Sequence, residues 1–176
     1  MRLATGHRDG GADFSLPGTA KLAQEEMIDM LIEGSCHCGR VEFEMETKYV
    51  YPLMWCYCER CRKTNGSPVS AYIKGKKADL GIRRGKDSIR LYRIETSERF
   101  FCGECGSSLY AFDTRWPEDC WPNAASIDTP LPSTPEVVHI FVGSKIPWFT
   151  IHTPGPQFDE YPELSIEDYH REWELV

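Results

Sequence analysis

The grouping of the cysteines constrains this chain more than any other feature. Seven of the eight cysteines fall into three short groups, which are Cys36-His37-Cys38-Gly39, Cys56-Tyr57-Cys58-Glu59-Arg60-Cys61 and Cys102-Gly103-Glu104-Cys105-Gly106. The N-terminal stretch lacks the apolar segment of a secretory signal, so we expect a cytoplasmic protein whose thiols stay reduced. Clustered cysteines in a reduced compartment favour metal binding over a disulfide framework.

The first and third groups have the spacing of zinc-binding knuckles. In each, two cysteines are separated by one or two residues and followed by a glycine, which allows the backbone to reverse. Closed structural zinc sites bind four ligands tetrahedrally. The two knuckles together predict a structural zinc on four thiolates, those of Cys36, Cys38, Cys102 and Cys105. Spacing alone does not fix the pairing, and the first and second groups could share an ion instead.

The middle group supplies three cysteines within six residues and therefore lacks one ligand of a tetrahedron. A structural zinc site is closed, whereas a catalytic zinc keeps an open position. An incomplete set beside a complete one predicts a second, exchangeable zinc on Cys56, Cys58 and Cys61. The alternative is that these three thiols are free or redox-active.

The hydrophobic pattern from Gly34 onward has the period of β-strands. Between Arg40 and Glu46, apolar residues alternate with glutamates, as in a half-buried strand. Further strands are predicted at Tyr49–Trp55, Val69–Lys74, Ser88–Ile94, Glu98–Cys102, Ser107–Asp113 and Val137–Val142. Short strands with little helical periodicity predict a mainly β domain of antiparallel sheets. Five prolines between Trp116 and Pro135 predict a long irregular loop there.

The chain divides into three predicted parts. Residues 1–33 are expected to form an N-terminal extension with a short helix over Lys21–Glu33. Residues 34–155 are expected to form the zinc-binding domain, and residues 156–176 an acidic C-terminal tail. The sequence of that tail is also consistent with a short acidic helix over Glu160–Leu175.

The charge distribution separates a basic stretch from this acidic end. Residues 59–93 contain eleven Lys or Arg against three Asp or Glu, although the whole chain carries −7. Arg60, Arg62 and Lys63 are candidates for binding the carboxylates of a small anion, and a solvated turn is the alternative. The overall acidity argues against nucleic-acid binding. No apolar run approaches the ~18 residues of a membrane span, so no membrane partner is expected.

Four segments in this order resemble one known family: GSCHCGRVEFE, CYCERCRKTNGS, FFCGECGSSLYAF and HIFVGSKIPWFTI. They are similar to the glutathione-dependent formaldehyde-activating enzymes, a family that includes centromere protein V. The match spans about Gly34 to Ile151. The resemblance implies a β-tent fold, in which small antiparallel sheets are stapled by zinc. It also implies a structural zinc on the first and third cysteine groups, and a second zinc on the middle group with an open position for glutathione sulfur.

The reaction implied by this resemblance joins formaldehyde to glutathione and gives S-hydroxymethylglutathione, formally a carbon–sulfur lyase reaction named for the reverse direction. Arg60, Arg62 and Lys63 would then meet the carboxylates of glutathione, and no residue stands out as a catalytic base. Trp116 and Trp121 could cover the site and exclude water. Because three thiolates already make a Zn²⁺ centre negative, a non-catalytic zinc-stapled module that binds thiols or a protein partner is the alternative function.

Overall fold

A computed structural model describes residues 29–132 and 136–172. In these residues, eleven strands and two α-helices alternate along the chain. The strands are β1 (Met30–Ser35), β2 (Glu42–Thr47), β3 (Met54–Cys56), β4 (Ser70–Tyr72), β5 (Gly75–Lys76), β6 (Leu80–Arg84), β7 (Ile89–Ile94), β8 (Ser97–Cys102), β9 (Ser108–Asp113), β10 (Trp116–Pro122) and β11 (Val138–Ile140). The helices are α1 (Glu59–Asn65) and α2 (Ile166–Glu172).

The strands form three small sheets. Their orders are β1-β2-β6, β5-β10-β9-β8-β7 and β11-β3-β4. All pairs are antiparallel except β11 with β3, which run parallel. The long stretch of chain between these two strands provides the crossover that a parallel pair needs. The predicted class, mainly β with several small antiparallel sheets, is confirmed.

Two hydrophobic clusters hold the sheets together. The first lies between the β1-β2-β6 sheet and the five-stranded sheet, and Phe43 and Met45 of β2 are fully buried in it. Glu42 and Glu44 on the other face of β2 are only half-buried, as the predicted alternation requires. The second cluster joins the β11-β3-β4 sheet to α2. This second cluster contains the middle cysteine group, so the packing of α2 and the position of those cysteines depend on one another.

The N-terminal boundary of the domain differs from the prediction. The sequence predicts a helix through Glu33, but Met30–Ser35 is a strand that pairs with β2 along its whole length. Ile32 is fully buried whereas Leu31 is 49% exposed, which is the two-residue period of a strand. The earlier part of the predicted helix lies outside the described residues. The β-domain therefore begins before Gly34.

The proline-rich stretch is also more regular than predicted. Trp116–Pro122 forms β10, which lies between β5 and β9 in the five-stranded sheet. The register of β10 against β9 shifts between Trp116 and Trp121. This irregularity accommodates Pro117, which has no N–H to donate to a neighbouring strand. The prediction that this stretch contains no regular element is wrong for its first seven residues.

The acidic C-terminal part packs against the domain instead of forming only a tail. Ile166, Tyr169 and His170 of α2 are buried. Ser165 and Asp168 exchange hydrogen bonds between their side chains and backbone N–H groups, which caps the start of the helix. Neither α-helix in the described part of the chain has the length and hydropathy of a membrane span.

Candidate functional site

Four cysteines from two distant loops converge at one edge of the structure. The Sγ atoms of Cys36, Cys38, Cys102 and Cys105 all lie within 4.8 Å of one another. The Sγ of Cys38 is 3.5 Å from that of Cys36 and 3.9 Å from that of Cys102. Sulfurs bound at about 2.3 Å to one tetrahedral ion are roughly 3.8 Å apart, and a disulfide bond is only ~2.05 Å long. The four thiols therefore fit a zinc ion.

Two glycines shape the backbone of this four-cysteine cluster. Gly39 and Gly106 have φ angles of 66° and 77°, in the left-handed region that favours glycine. Their N–H groups donate to the carbonyl oxygens of Cys36 and Cys102, each at 2.8 Å. Each loop is thereby reversed so that its two thiols point to the same place. The chain reversal expected after the last cysteine of each group is confirmed.

The middle cysteine group forms a second cluster where a strand passes into a helix. Strand β3 ends at Cys56, Cys58 is the N-cap of α1, and Cys61 lies in the first turn of that helix. The Sγ of Cys58 accepts a hydrogen bond from the backbone N–H of Cys61 at 3.4 Å. The three Sγ atoms lie within 4.8 Å of one another. A local strand–turn–helix thus supplies three candidate metal ligands.

The ionisation of these three thiols is interdependent. Hydrogen bonding to Cys58, and then to Cys61, raises the pKa of the Cys56 thiol far above its ordinary value. The same type of contact, first with Cys56 and then with Cys61, lowers the pKa of Cys58. One thiolate therefore forms readily and makes the next costly, because like charges repel at this distance. Three thiolates require a cation among them, which agrees with a metal site.

A buried hydrogen bond between Tyr57 and His139 holds the loop that carries the three-cysteine cluster. Tyr57 lies between Cys56 and Cys58 and is fully buried. Its hydroxyl lies 2.8 Å from Nδ1 of His139, whose Nε2 lies 3.1 Å from the carbonyl oxygen of Thr153. The carbonyl can only accept, so Nε2–H donates to it and Nδ1 accepts from the tyrosine. Burial lowers the pKa of His139, which favours this neutral form.

A cavity of about 360 Å³ lies against the three-cysteine cluster, and Cys56 and Cys61 form part of its wall. Strands β8, β9 and β10 form one side, and β3, β4 and β11 form the opposite side. The segment Tyr161–Ile166 closes a third side. The cavity is within the size range of small-molecule sites. The four-cysteine cluster contributes no residue to its lining, so the two clusters differ in their access to a ligand.

Aromatic side chains form much of the apolar wall. Trp116 and Trp121 line the cavity with their ring centroids 6.2 Å apart, and Tyr161 packs edge-on against Trp116 at 5.1 Å. The prediction that the two tryptophans cover the site is consistent with this placement. Tyr161 and Leu164, which line the cavity, are 40% and 41% exposed, so the wall that they form lies at the protein surface.

Two cations of the cavity wall, Arg99 and Lys74, belong to none of the sequence motifs and were not predicted to be site residues. Arg99 of β8 donates from Nη2 to the Sγ of Cys61 at 3.5 Å and from Nη1 to the Tyr72 hydroxyl at 2.9 Å. Lys74 lies 2.7 Å from Glu167 and 3.4 Å from Asp119. Strand periodicity places Ser97 and Arg99 on one face, but it does not show which part of the chain that face meets.

The predicted anion-binding residues lie elsewhere. Lys63 pairs with Glu59 on the exposed side of α1, and Arg60 pairs with Glu95. Arg62 donates from Nε to the carbonyl oxygen of Tyr57 at 3.1 Å. Arg60, Arg62 and Lys63 are absent from the cavity lining. Their proposed role in binding glutathione stays a prediction, whereas their contacts with the protein are observed.

Comparison with known proteins places this chain in one family. The pattern of the family described as glutathione-dependent formaldehyde-activating enzyme matches residues 31–144. A Halomonas elongata protein provisionally named a glutathione-dependent formaldehyde-activating enzyme is 40% identical over 149 residues, which cover 80% of this chain and 95% of that protein. A crystal structure of a Rhodobacter sphaeroides protein is 30% identical, has a TM-score of 0.47, and matches 57% of this chain and 91% of its own. The chain therefore belongs to the glutathione-dependent formaldehyde-activating enzyme family.

Proposed function

We propose that this protein is a zinc-dependent enzyme that joins formaldehyde to the sulfur of glutathione or a related thiol. The observation that carries the proposal is that two residues of the three-cysteine cluster, Cys56 and Cys61, line the cavity, whereas the four-cysteine cluster contributes no residue to that lining. We assign a structural zinc to Cys36, Cys38, Cys102 and Cys105. We assign an exchangeable zinc to Cys56, Cys58 and Cys61.

The reaction needs a thiolate and a carbonyl held together. The S–H bond of glutathione breaks, a C–S bond forms to the formaldehyde carbon, and the aldehyde oxygen takes up a proton. When bound by three cysteines, zinc supplies an open position that lowers the pKa of a thiol. No side chain of the cavity is required as a base, because both protons can exchange with water near the exposed Tyr161 and Leu164.

The walls of the cavity would orient the substrate and limit water. Trp116 and Trp121 would cover the apolar parts of the thiol, since aromatic rings exclude water over a large area. Holding the two reactants in one small cavity supplies proximity, which accelerates a bimolecular step. Glutathione carries two carboxylates and one ammonium group. Glu163 in the lining offers a carboxylate for the ammonium group, whereas Lys74 is already in contact with Glu167 and Asp119.

Exchange spectroscopy tests the proposed activity. In a mixture of glutathione and formaldehyde, the native protein should accelerate exchange between free glutathione and its hydroxymethyl adduct. Cys58→Ser should abolish this acceleration, and Cys120→Ala should retain it because Cys120 lies outside both cysteine clusters. Unchanged exchange rates with zinc-loaded native protein would contradict the proposal.

The second candidate is a zinc-stapled module that binds thiols without catalysis. The specific observation in its favour is the charge of the three-cysteine centre, because three thiolates leave a Zn²⁺ site at −1 and a fourth leaves it at −2. Such a centre is a weak electrophile and could hold a thiol without activating it. A protein that binds glutathione at the zinc-loaded site but leaves the exchange rate unchanged would be this module.

A further inference from the structure

Arg99 is half-buried in the wall that faces the three-cysteine cluster. Among the described residues, it is the one cation that donates a hydrogen bond to a sulfur of this cluster, at 3.5 Å from the Sγ of Cys61. The middle of β8 carries it, opposite Ala111 of β9, so the sheet fixes its backbone. The contact joins residues that are 38 positions apart and is therefore made by the fold.

The surroundings of Arg99 leave its charge available to the cluster. Its Nη1 donates to the Tyr72 hydroxyl, a neutral acceptor, and its Nε is buried with no hydrogen-bond partner among the described residues. Lys74, the other cation of the cavity wall, is in contact with Glu167 and Asp119. The charge of Lys74 is thus offset by carboxylates, whereas that of Arg99 faces sulfur.

We propose that Arg99 is a positioning residue that offsets the negative charge of the metal centre on Cys56, Cys58 and Cys61. This inference rests on the proposed function, since it takes the exchangeable metal at this cluster as given. With three thiolates and a divalent ion the centre carries −1, and Arg99 brings the local sum to zero. A thiolate that joins the centre then makes the local charge −1 instead of −2.

Two consequences follow from this charge balance. The guanidinium stabilises the anionic metal–thiolate centre over the metal-free thiols, so it should raise the affinity for zinc. A donated N–H also withdraws electron density from the Cys61 sulfur, which leaves the metal a better acceptor for another thiolate. Arg99, a residue from another strand, thereby raises the electrophilicity of a centre that has only sulfur ligands.

The first measurement is zinc affinity by competition with a chromophoric chelator. Arg99→Met should weaken zinc binding by about 10–100-fold at the three-cysteine cluster, the range typical of residues that contact metal ligands. Arg99→Lys keeps the charge and should recover much of the loss. Arg93→Met is the matched control, since it removes the same charge from an exposed side chain of β7 that pairs with Glu98 of β8. If the methionine variant does not fold, Arg99→Gln gives the same test with a polar side chain.

The second measurement separates this role from binding of the glutathione carboxylates. In protein loaded with Co²⁺, Arg99→Met should shift the sulfur-to-metal charge-transfer band to longer wavelength, because the sulfur loses its hydrogen bond. Titration with 2-mercaptoethanol, which has no carboxylate, should show the same fold-loss of affinity as titration with glutathione. A loss confined to glutathione would overturn the proposal and make Arg99 a substrate-binding residue.

The two proposals fail in different ways. Unchanged zinc affinity and an unshifted Co²⁺ spectrum in Arg99→Met would overturn the role of Arg99, whatever the activity with formaldehyde. If Arg99→Met shows the predicted changes but the native protein does not accelerate adduct exchange, the role of Arg99 is supported and the proposed enzyme activity is contradicted.

Discussion

The sulfur atoms of Cys38 and Cys102 lie 3.9 Å apart, although 64 positions separate the two residues in the chain. Cys38 follows β1, and Cys102 ends β8, so the contact joins the first sheet to the five-stranded sheet. A metal at this point would close a long loop, as a disulfide does in an oxidising compartment. The two sheets would then depend on the metal for their relative position.

The first prediction concerns this junction. Cys105→Ser should lower the melting temperature by about 10 °C or more, because zinc binding is part of the folding energy and each kcal/mol is worth roughly 2–4 °C in a chain of this size. Glu104→Ala in the same exposed loop should leave it unchanged. Thermal unfolding followed by circular dichroism checks both variants. Equal melting curves for Cys105→Ser and the native protein would show that the four thiols hold no structural metal.

The second prediction concerns β1. Ile32→Ala should reduce the free energy of unfolding by about 2–5 kcal/mol, because Ile32 is fully buried in the first core cluster. Leu31→Ala is the matched control, and its loss should be much smaller because Leu31 is 49% exposed. Denaturant titration measures both. Equal losses would mean that β1 does not pack as described.

The boundary at β1 shows where sequence reasoning reaches its limit. The apolar residues Met30 and Leu31 fit one face of a helix, and Ile32 with Gly34 fits a strand equally well. The pairing with β2 decides between them, and this pairing is not a local property. The cysteine groups were predictable because spacing of one or two residues and a following glycine are local requirements of a metal knuckle.

The cavity was predictable only in part for the same reason. Trp116 and Trp121 are conspicuous in the sequence, and their neighbourhood was expected to cover the site. Arg99 is one of many basic residues between Glu59 and Phe101, and its proximity to Cys61 arises only when the five-stranded sheet faces the β11-β3-β4 sheet. Arg62 and Lys63 are adjacent to Cys61 in sequence, but the turn of α1 directs them away from the cavity lining.

The third prediction concerns those neighbouring cations. Lys63→Ala should change glutathione affinity by less than about twofold, since the side chain is 73% exposed and its pair with Glu59 is a surface ion pair. Arg62→Ala should instead reduce stability, because it removes the hydrogen bond to the carbonyl oxygen of Tyr57 between two of the cysteines. Calorimetric titration and thermal unfolding separate the two effects. A large loss of glutathione affinity in Lys63→Ala would instead show that the basic stretch binds glutathione.

The fourth prediction concerns acid sensitivity of the docked helix α2. His170 is buried, its Nε2 lies 2.6 Å from the carbonyl oxygen of Tyr51, and burial lowers its pKa below the usual 6.5. Below about pH 6.5, His170 is therefore protonated in the unfolded chain but stays largely neutral in the folded chain. The contribution to stability is present above that pH and is lost as the pH falls.

His170→Gln removes this titration while keeping a side-chain donor for the Tyr51 carbonyl. Between about pH 7.5 and about pH 5.5, the native protein should lose roughly 1 kcal/mol more unfolding free energy than the variant. Any loss of metal from the cysteines in acid is common to both proteins and cancels in the difference. Parallel losses in the two proteins would mean that His170 titrates freely and that α2 is not docked as described.

The central claim is that the seven clustered cysteines divide into a closed set of four and an open set of three. Zinc analysis of protein purified without chelator tests it most directly. We expect roughly two zinc ions per chain in the native protein and roughly one in Cys58→Ser, with the strand-rich circular dichroism of both unchanged. One zinc in both proteins would contradict it, because the three-cysteine cluster would then hold no metal.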